Sequence, residues 1–217
     1  MILQNTKKLL YSVAAFLMLG LGISLQIKAG IGQSMFNAFS LTLAELLNIE
    51  IGSVLNFSNM LFFIIYLIIR RSCINHRDIT QIIATIVSGY IVNFYTYRIL
   101  NHLIIESYYL KVMLFIVGLL FASLSLGIIL AMEIIQFPLE SLCILLGQKL
   151  GCKMTTIRMR FDIFFAISTL ILTLVTSHSL YIREGTIVSF FLLSRLIGFS
   201  YYYHKKHLFI KDVTDYV

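Results

Sequence analysis

The sequence predicts an all-α integral membrane protein made of two inverted repeats, each with three transmembrane helices and one short re-entrant helix. Three observations carry this prediction. Hydrophobic residues make up 59% of the 217-residue chain and charged residues 12%, whereas soluble domains carry roughly 25% charged residues. Apolar runs long enough to cross a bilayer recur six times, with two shorter runs at equivalent places. One residue pattern also occurs twice, and the loop charges set the second copy against the first.

About 20 apolar residues are needed to cross the roughly 30 Å hydrocarbon core. Segments 8–28, 52–70, 79–100, 110–132, 156–176 and 185–203 meet that length, whereas 34–48 and 138–150 fall short. Each half therefore reads span, short helix, span, span. Pro138 suits the first turn of the second short helix, where its missing N–H had no helical partner. Thr155 or Thr156 is a suitable cap for the span that follows. Gly30 and Gly32 loosen the backbone ahead of the first short helix. Irregular backbone at membrane depth needs protein or a watery cavity around it, and segments 28–34 and 133–138 are the expected places for non-helical backbone near the membrane interior.

The first copy of the pattern runs from Gly22 to Ile68 and the second from Gly127 to Leu172. At one constant offset Gln33 aligns with Gln136, Met35 with Pro138, Asn37 with Glu140 and Asn59 with Asp162. Identity is low, and the repeat rests on order and spacing. Loop charge decides how the short helices run. Lys7 and Lys8 place the N-terminus in the cytoplasm under the positive-inside rule. If 34–48 enters and leaves on one side, the Arg70, Arg71, His76 and Arg77 cluster falls inside. So do Lys149, Lys153 and the tail lysines at 205, 206 and 211. Full crossing by 34–48 would put the most basic loop outside; eight full spans is the competing arrangement. Three spans per half, an odd number, then make the halves inverted.

The expected organisation is one membrane domain over 1–217: repeat one at 8–100, repeat two at 110–203, and a basic cytoplasmic tail at 204–217. Neither linker composition nor low-complexity sequence interrupts it. The formal charge of +7 reads as cytoplasmic loop charge rather than nucleic-acid binding. The expected location is the bacterial cytoplasmic membrane, multi-pass, with both termini cytoplasmic. The run Leu9–Ile27 reads as a retained helix rather than a cleaved signal. Cys73, Cys143 and Cys152 lack motif spacing and read as small apolar fillers. The histidines fall at span ends or in loops. With no H-E-x-x-H, G-x-S-x-G or G-x-x-x-x-G-K motif, the expectation is a non-enzyme without metal or cofactor. Gly118, Ala122 and Ser125 suit a close helix contact, either within the chain or in a homodimer, which no motif requires.

Arg195 is the sharpest single residue. It sits near the middle of the last span, where a charge costs roughly 2.5–3.5 kcal/mol on insertion scales. It reads either as an anchor for an anionic substrate or as the partner of Glu140 or Asp162. Glu140 lies in the first turn of its short helix, where the helix dipole favours a carboxylate, and Asn37 is its repeat mate. These two read as substrate- or ion-binding groups or as caps beside the interface. Arg158 and Asp162, spaced i,i+4, share a helical face and read as a structural or gating pair. Asn56 and Asn59 suit interhelical hydrogen bonds, and Asn59 also suits a place in the site. Lys28 and Glu133 suit interfacial positions. Tyr108, Tyr109 and Tyr201–Tyr203 fit an aromatic belt.

Several of these motifs carry a family likeness. Leu21–Asn37 resembles the opening element of the YczE/YyaS/YitT-like bacterial membrane proteins, roughly G-x-A-L-x-x-x-A-x-L-G-x-x-P-W-D. Pro138 and Glu140 resemble the family's repeated G-P-x-D, Arg158–Asp162 its R-x-x-x-D, and Gly185-Thr186 its G-T before the last span. Met35 replaces the first proline, Asn37 and Glu140 stand where Asp is usual, and glycines around 134–137 are missing. These departures imply a site altered in charge or specificity. The resemblance implies a multi-span protein often supposed to be a transporter.

Inverted repeats commonly place a substrate site between the two halves. The expected function is secondary transport or facilitated permeation of a small solute, with an anion among the candidates. Gln33, Asn37, Gln136 and Glu140 would bound the site, and Asp162 and Arg195 would set its charge. The alternatives are a non-catalytic accessory or sensor subunit of an export or biosynthetic complex, and a channel lined by the paired short helices.

Overall fold

The computed structural model describes residues 2–71, 74–132, 137–176 and 179–208, with the backbone alone at 2–10, 77, 207 and 208. All regular structure among them is helical. The helices are α1 (Ile2–Ala29), α2 (Met35–Leu47), α3 (Ile51–Arg70), α4 (His76–Asn93), α5 (Tyr108–Met132), α6 (Pro138–Leu150), α7 (Met154–Thr176) and α8 (Glu184–Leu208). A π-helical turn, Phe94–Ile99, extends α4. Six of the helices are long and apolar enough to cross a membrane, the pattern of a multi-pass membrane protein. The 13-residue helices α2 and α6 rise only about 20 Å each. These elements match the six long and two short segments read from hydropathy.

Local chemistry sets the helix ends. Ser34 caps α2 by accepting from the Asn37 backbone N–H, and Pro138 opens α6. The first short helix is preceded by Gly30 and Gly32 at φ 66° and 127°, which side-chain-bearing residues adopt with strain. α7 begins at Met154, so Thr155 and Thr156 lie inside its first turn rather than capping it. At the α3–α4 turn Asn75 and Asp78 form a capping box, and Arg70 binds Asp78 at 2.6 Å.

α1 and α5 form the central pair. A side chain at Gly22 or Gly118 would strike the opposing backbone, so Gly118 and Ala122 serve a contact inside the chain. α4 lies on α1, and α8 lies on α5. The hairpins α2–α3 and α6–α7 then cross, with α2 against α7 and α6 against α3. Phe36, Phe62 and Phe165 pack where those hairpins meet.

Each short helix is tied at both ends to one end of the bundle. Ahead of α2, Arg183 donates to the Gly30 carbonyl at 2.6 Å and the Gly185 N–H donates to the Ile31 carbonyl at 2.8 Å. Near its C-terminus, Ser179 donates to Glu45 at 3.3 Å. Burial and the Glu45 carboxylate push the neighbouring Tyr181 phenol up to about 12. Both ends of segment 30–47 thus touch the lead-in to α8. In α6, Gln81 donates to Ser141 at 3.0 Å near the start, and Lys149 donates to the Ile69 carbonyl at 2.6 Å near the end. Those partners flank the α3–α4 turn.

The packing pattern of one half recurs in the other with one exception. α3 lies along α4, but α7 and α8 share no comparable surface. The N-cap residue of α3, Glu50, makes no side-chain cap bond. Its free N–H groups are instead taken by α4 and its π-turn: Gly52 donates to Asn93 at 2.6 Å and Ile51 to Tyr97 at 3.2 Å. Unpaired helix-terminal N–H groups need such partners.

Candidate functional site

Two neighbouring cavities meet inside the bundle. The smaller, about 80 Å³, is lined by Gln26 of α1, Ser34, Asn37 of α2, Asn56 and Asn59 of α3, Thr85 and Ser88 of α4, Glu140 of α6 and Arg158 of α7, with apolar residues between them. The larger, about 490 Å³, lies among α5, α6, α7 and α8 and includes Glu140, Arg158, Asp162 and Ser189 in its wall. Glu140 and Arg158 border both.

The first turns of the two short helices bring Asn37 and Glu140 to the small cavity. Arg158 donates from Nη1 to Glu140 Oε1. Its Nε lies 3.5 Å from Asp162 Oδ1, a charge contact that falls short of hydrogen-bond alignment. The three side chains are only 19%, 11% and 16% exposed for Arg158, Glu140 and Asp162. A buried charge without a partner is costly, so the guanidinium and the carboxylates hold one another in place. Around them the Gln26 and Asn56 amide oxygens and the Thr85 and Ser189 hydroxyls are buried without a hydrogen-bond partner among the described residues. Buried polar atoms are normally satisfied, and these four line the cavities. The arrangement can bind a polar or charged group and hold it away from lipid.

Asn37, Asn59 and Glu140, which the repeat singled out, line the small cavity together; Asp162 lies beyond Glu140 in the wall of the larger one, and Arg158, expected only as the partner of Asp162, borders both. Asn56 makes the expected interhelical bond, donating to the Ile86 carbonyl at 3.2 Å. Gln33 is buried in the loop ahead of α2, where its N–H donates to Thr186 at 3.1 Å, and it lines neither cavity. Gln136 and Glu133 lie outside the described residues.

Arg195 requires a correction. It is exposed, lines neither cavity and pairs with neither Glu140 nor Asp162; Arg158 takes both. Hydropathy gives a residue's depth along a span but not the direction it faces. The cavity-facing residues of α8 are Ser189, Phe190, Leu193, Ser194, Ile197, Gly198, Tyr201 and Tyr202, and helical spacing turns Arg195 away from them. Sequence reasoning missed the Glu140–Arg158 pair and the contributions of Gln26, Thr85, Ser88 and Ser189. The available signal was polar residues within otherwise apolar spans, which are expensive there and face the interior.

No curated protein and no solved structure matches the chain. A family model described as a family of unknown function matches residues 6–202, so the chain belongs to that family, DUF6198.

Proposed function

We propose that this protein is a secondary transporter or permease for a small solute, with its site where Asn37, Glu140, Arg158 and Asp162 converge. The observation that carries the reading is the Glu140–Arg158 pair, buried on the border between two cavities at the first turn of a short helix. An ion pair in that position can bind a solute and also gate passage between the two spaces. Intramembrane charges mark solute and ion pathways. No catalytic role is proposed for any residue.

The inverted-repeat reading draws support from the docking of the short helices. α2 is tied to the lead-in to α8, and α6 to the α3–α4 turn. The 20-residue α3, about 30 Å long, begins just beyond α2 and ends at that turn. The two short helices therefore dock at opposite ends of the bundle, as re-entrant segments in inverted halves would. The likeness to YczE/YyaS/YitT-like proteins, the cell-membrane location and cytoplasmic termini belong to the same proposal. Alternating access would rock one half against the other.

Two experiments test this. Single cysteines in a cysteine-free background are probed with an impermeant thiol reagent on intact cells. Labelling at 50, 106 and 181 but not at 75, 153 or 209 is expected. Labelling at 75 with 50 protected would overturn the re-entrant arrangement. Purified protein in liposomes is then screened for solute-driven flux against a metabolite panel. Saturable flux that is lost in Glu140→Gln and Arg158→Gln is expected; flux untouched by both substitutions would remove the pair from the mechanism.

A further inference from the structure

The larger cavity has a chemistry of its own. Its α8 lining runs from Ser189 to Tyr202, about 20 Å along the helix. Leu126, Leu130, Ile144, Phe190 and Ile197 give it a mainly apolar surface. Its charged wall residues are one guanidinium, Arg158, and two carboxylates, Glu140 and Asp162. Arg158 is hydrogen-bonded to Glu140, which leaves Asp162 with the longer 3.5 Å contact. The formal balance of this wall is one negative charge. Ser189 lines the cavity, is 1% exposed, and its hydroxyl lacks a partner among the described residues. α7 and α8 both border the space and share no extended contact surface among the described residues.

A mostly apolar cavity of this size with a few convergent polar groups fits a small organic ligand. An anion would meet a guanidinium already neutralised and a carboxylate with charge to spare. We infer that this cavity binds an amphiphilic monocation, its apolar body against α5, α6 and α8 and its positive charge beside Asp162 and Glu140. This assignment deepens the transport reading, on which it rests for its purpose, by naming the solute class.

Tetraphenylphosphonium and tetraphenylborate test the sign of the site, because they share a shape and differ in charge. Equilibrium binding is measured on the purified full-length protein in a non-ionic detergent with radiolabelled tetraphenylphosphonium. Saturable binding is expected, displaced by unlabelled cation and not by tetraphenylborate. Removing a buried charge partner should weaken it at least roughly tenfold in Asp162→Asn. Gly198→Phe supplies a second variant: no atom lies within 4 Å of a side chain built at Gly198, so the ring should enter the cavity without strain and abolish binding. Arg195→Leu, away from both cavities, should bind as the parent does. Absence of saturable binding, equal binding of tetraphenylborate, or unchanged binding in folded Gly198→Phe would each overturn the assignment. Because binding in detergent needs no transport, its failure leaves the flux experiment to decide the transport reading. A null flux result beside intact binding would sink transport alone.

Discussion

The two halves of the molecule solve one packing problem in opposite ways. In the first, α3 and α4 close on each other: a side chain on Gly52 would drive into the Gly89 carbonyl, and Asn93 and Asn56 bridge the seam. In the second, the positions equivalent to Ile51 and Gly52 at the repeat offset are Met154 and Thr155, which border the larger cavity, with Met154 also packed against the central aromatic cluster. The polar residues differ in the same sense. Asn37 and Asn59 are neutral amides, while their mates Glu140 and Asp162 are carboxylates held by Arg158. Amides can stitch helices together with modest hydrogen bonds. Carboxylates under lipid need a counter-charge, and the space beside them leaves room for one. A shared helix order thus supports one half closed between α3 and α4 with neutral amides at the site, and another open between α7 and α8 with charges there.

The sharpest way to break this comparison is to remove the guanidinium. Arg158→Met should cost about 3–5 kcal/mol of stability by leaving two carboxylates buried. Adding Glu140→Gln should recover part of that loss in a thermal-unfolding assay. A double variant no more stable than Arg158→Met would show that the pair does not organise this half.

The seams provide the next test. Gly52→Leu should lower stability by up to about 3 kcal/mol through overpacking, whereas Gly198→Leu should be tolerated because open space surrounds it. Equal losses in fluorescence-detected size exclusion would mean that the α7–α8 side is as closed as α3–α4.

Exchanging repeat mates gives a smaller effect. Asp162→Asn makes the second half resemble the first at the Asn59 position. A loss of about 1 kcal/mol is expected, because Glu140 still holds Arg158. The smallest change is expected at Arg195→Leu, within about 0.5 kcal/mol in detergent. A loss comparable to that of Arg158→Met would place Arg195 in a contact that the described residues do not provide.

Residue order alone determined the six long apolar helices, the two short ones and the Arg158–Asp162 contact, and it pointed to Asn37 and Glu140 as the residues that open the short helices. Each follows from hydropathy, helical period or repeat spacing, all properties of position along the chain. Tertiary structure alone decided that Glu140 takes the hydrogen bond of Arg158, that Arg195 turns outward and Gln33 toward Thr186, and that Gln26, Thr85 and Ser189 join the site. It also decided that α3–α4 is closed while α7–α8 is not. Hydropathy reports how deep a residue lies, but its partner depends on how each helix is rotated and which helix lies beside it. Those are set by backbone approach at glycines such as Gly22, Gly52 and Gly118 and by the requirement that buried charge find opposite charge.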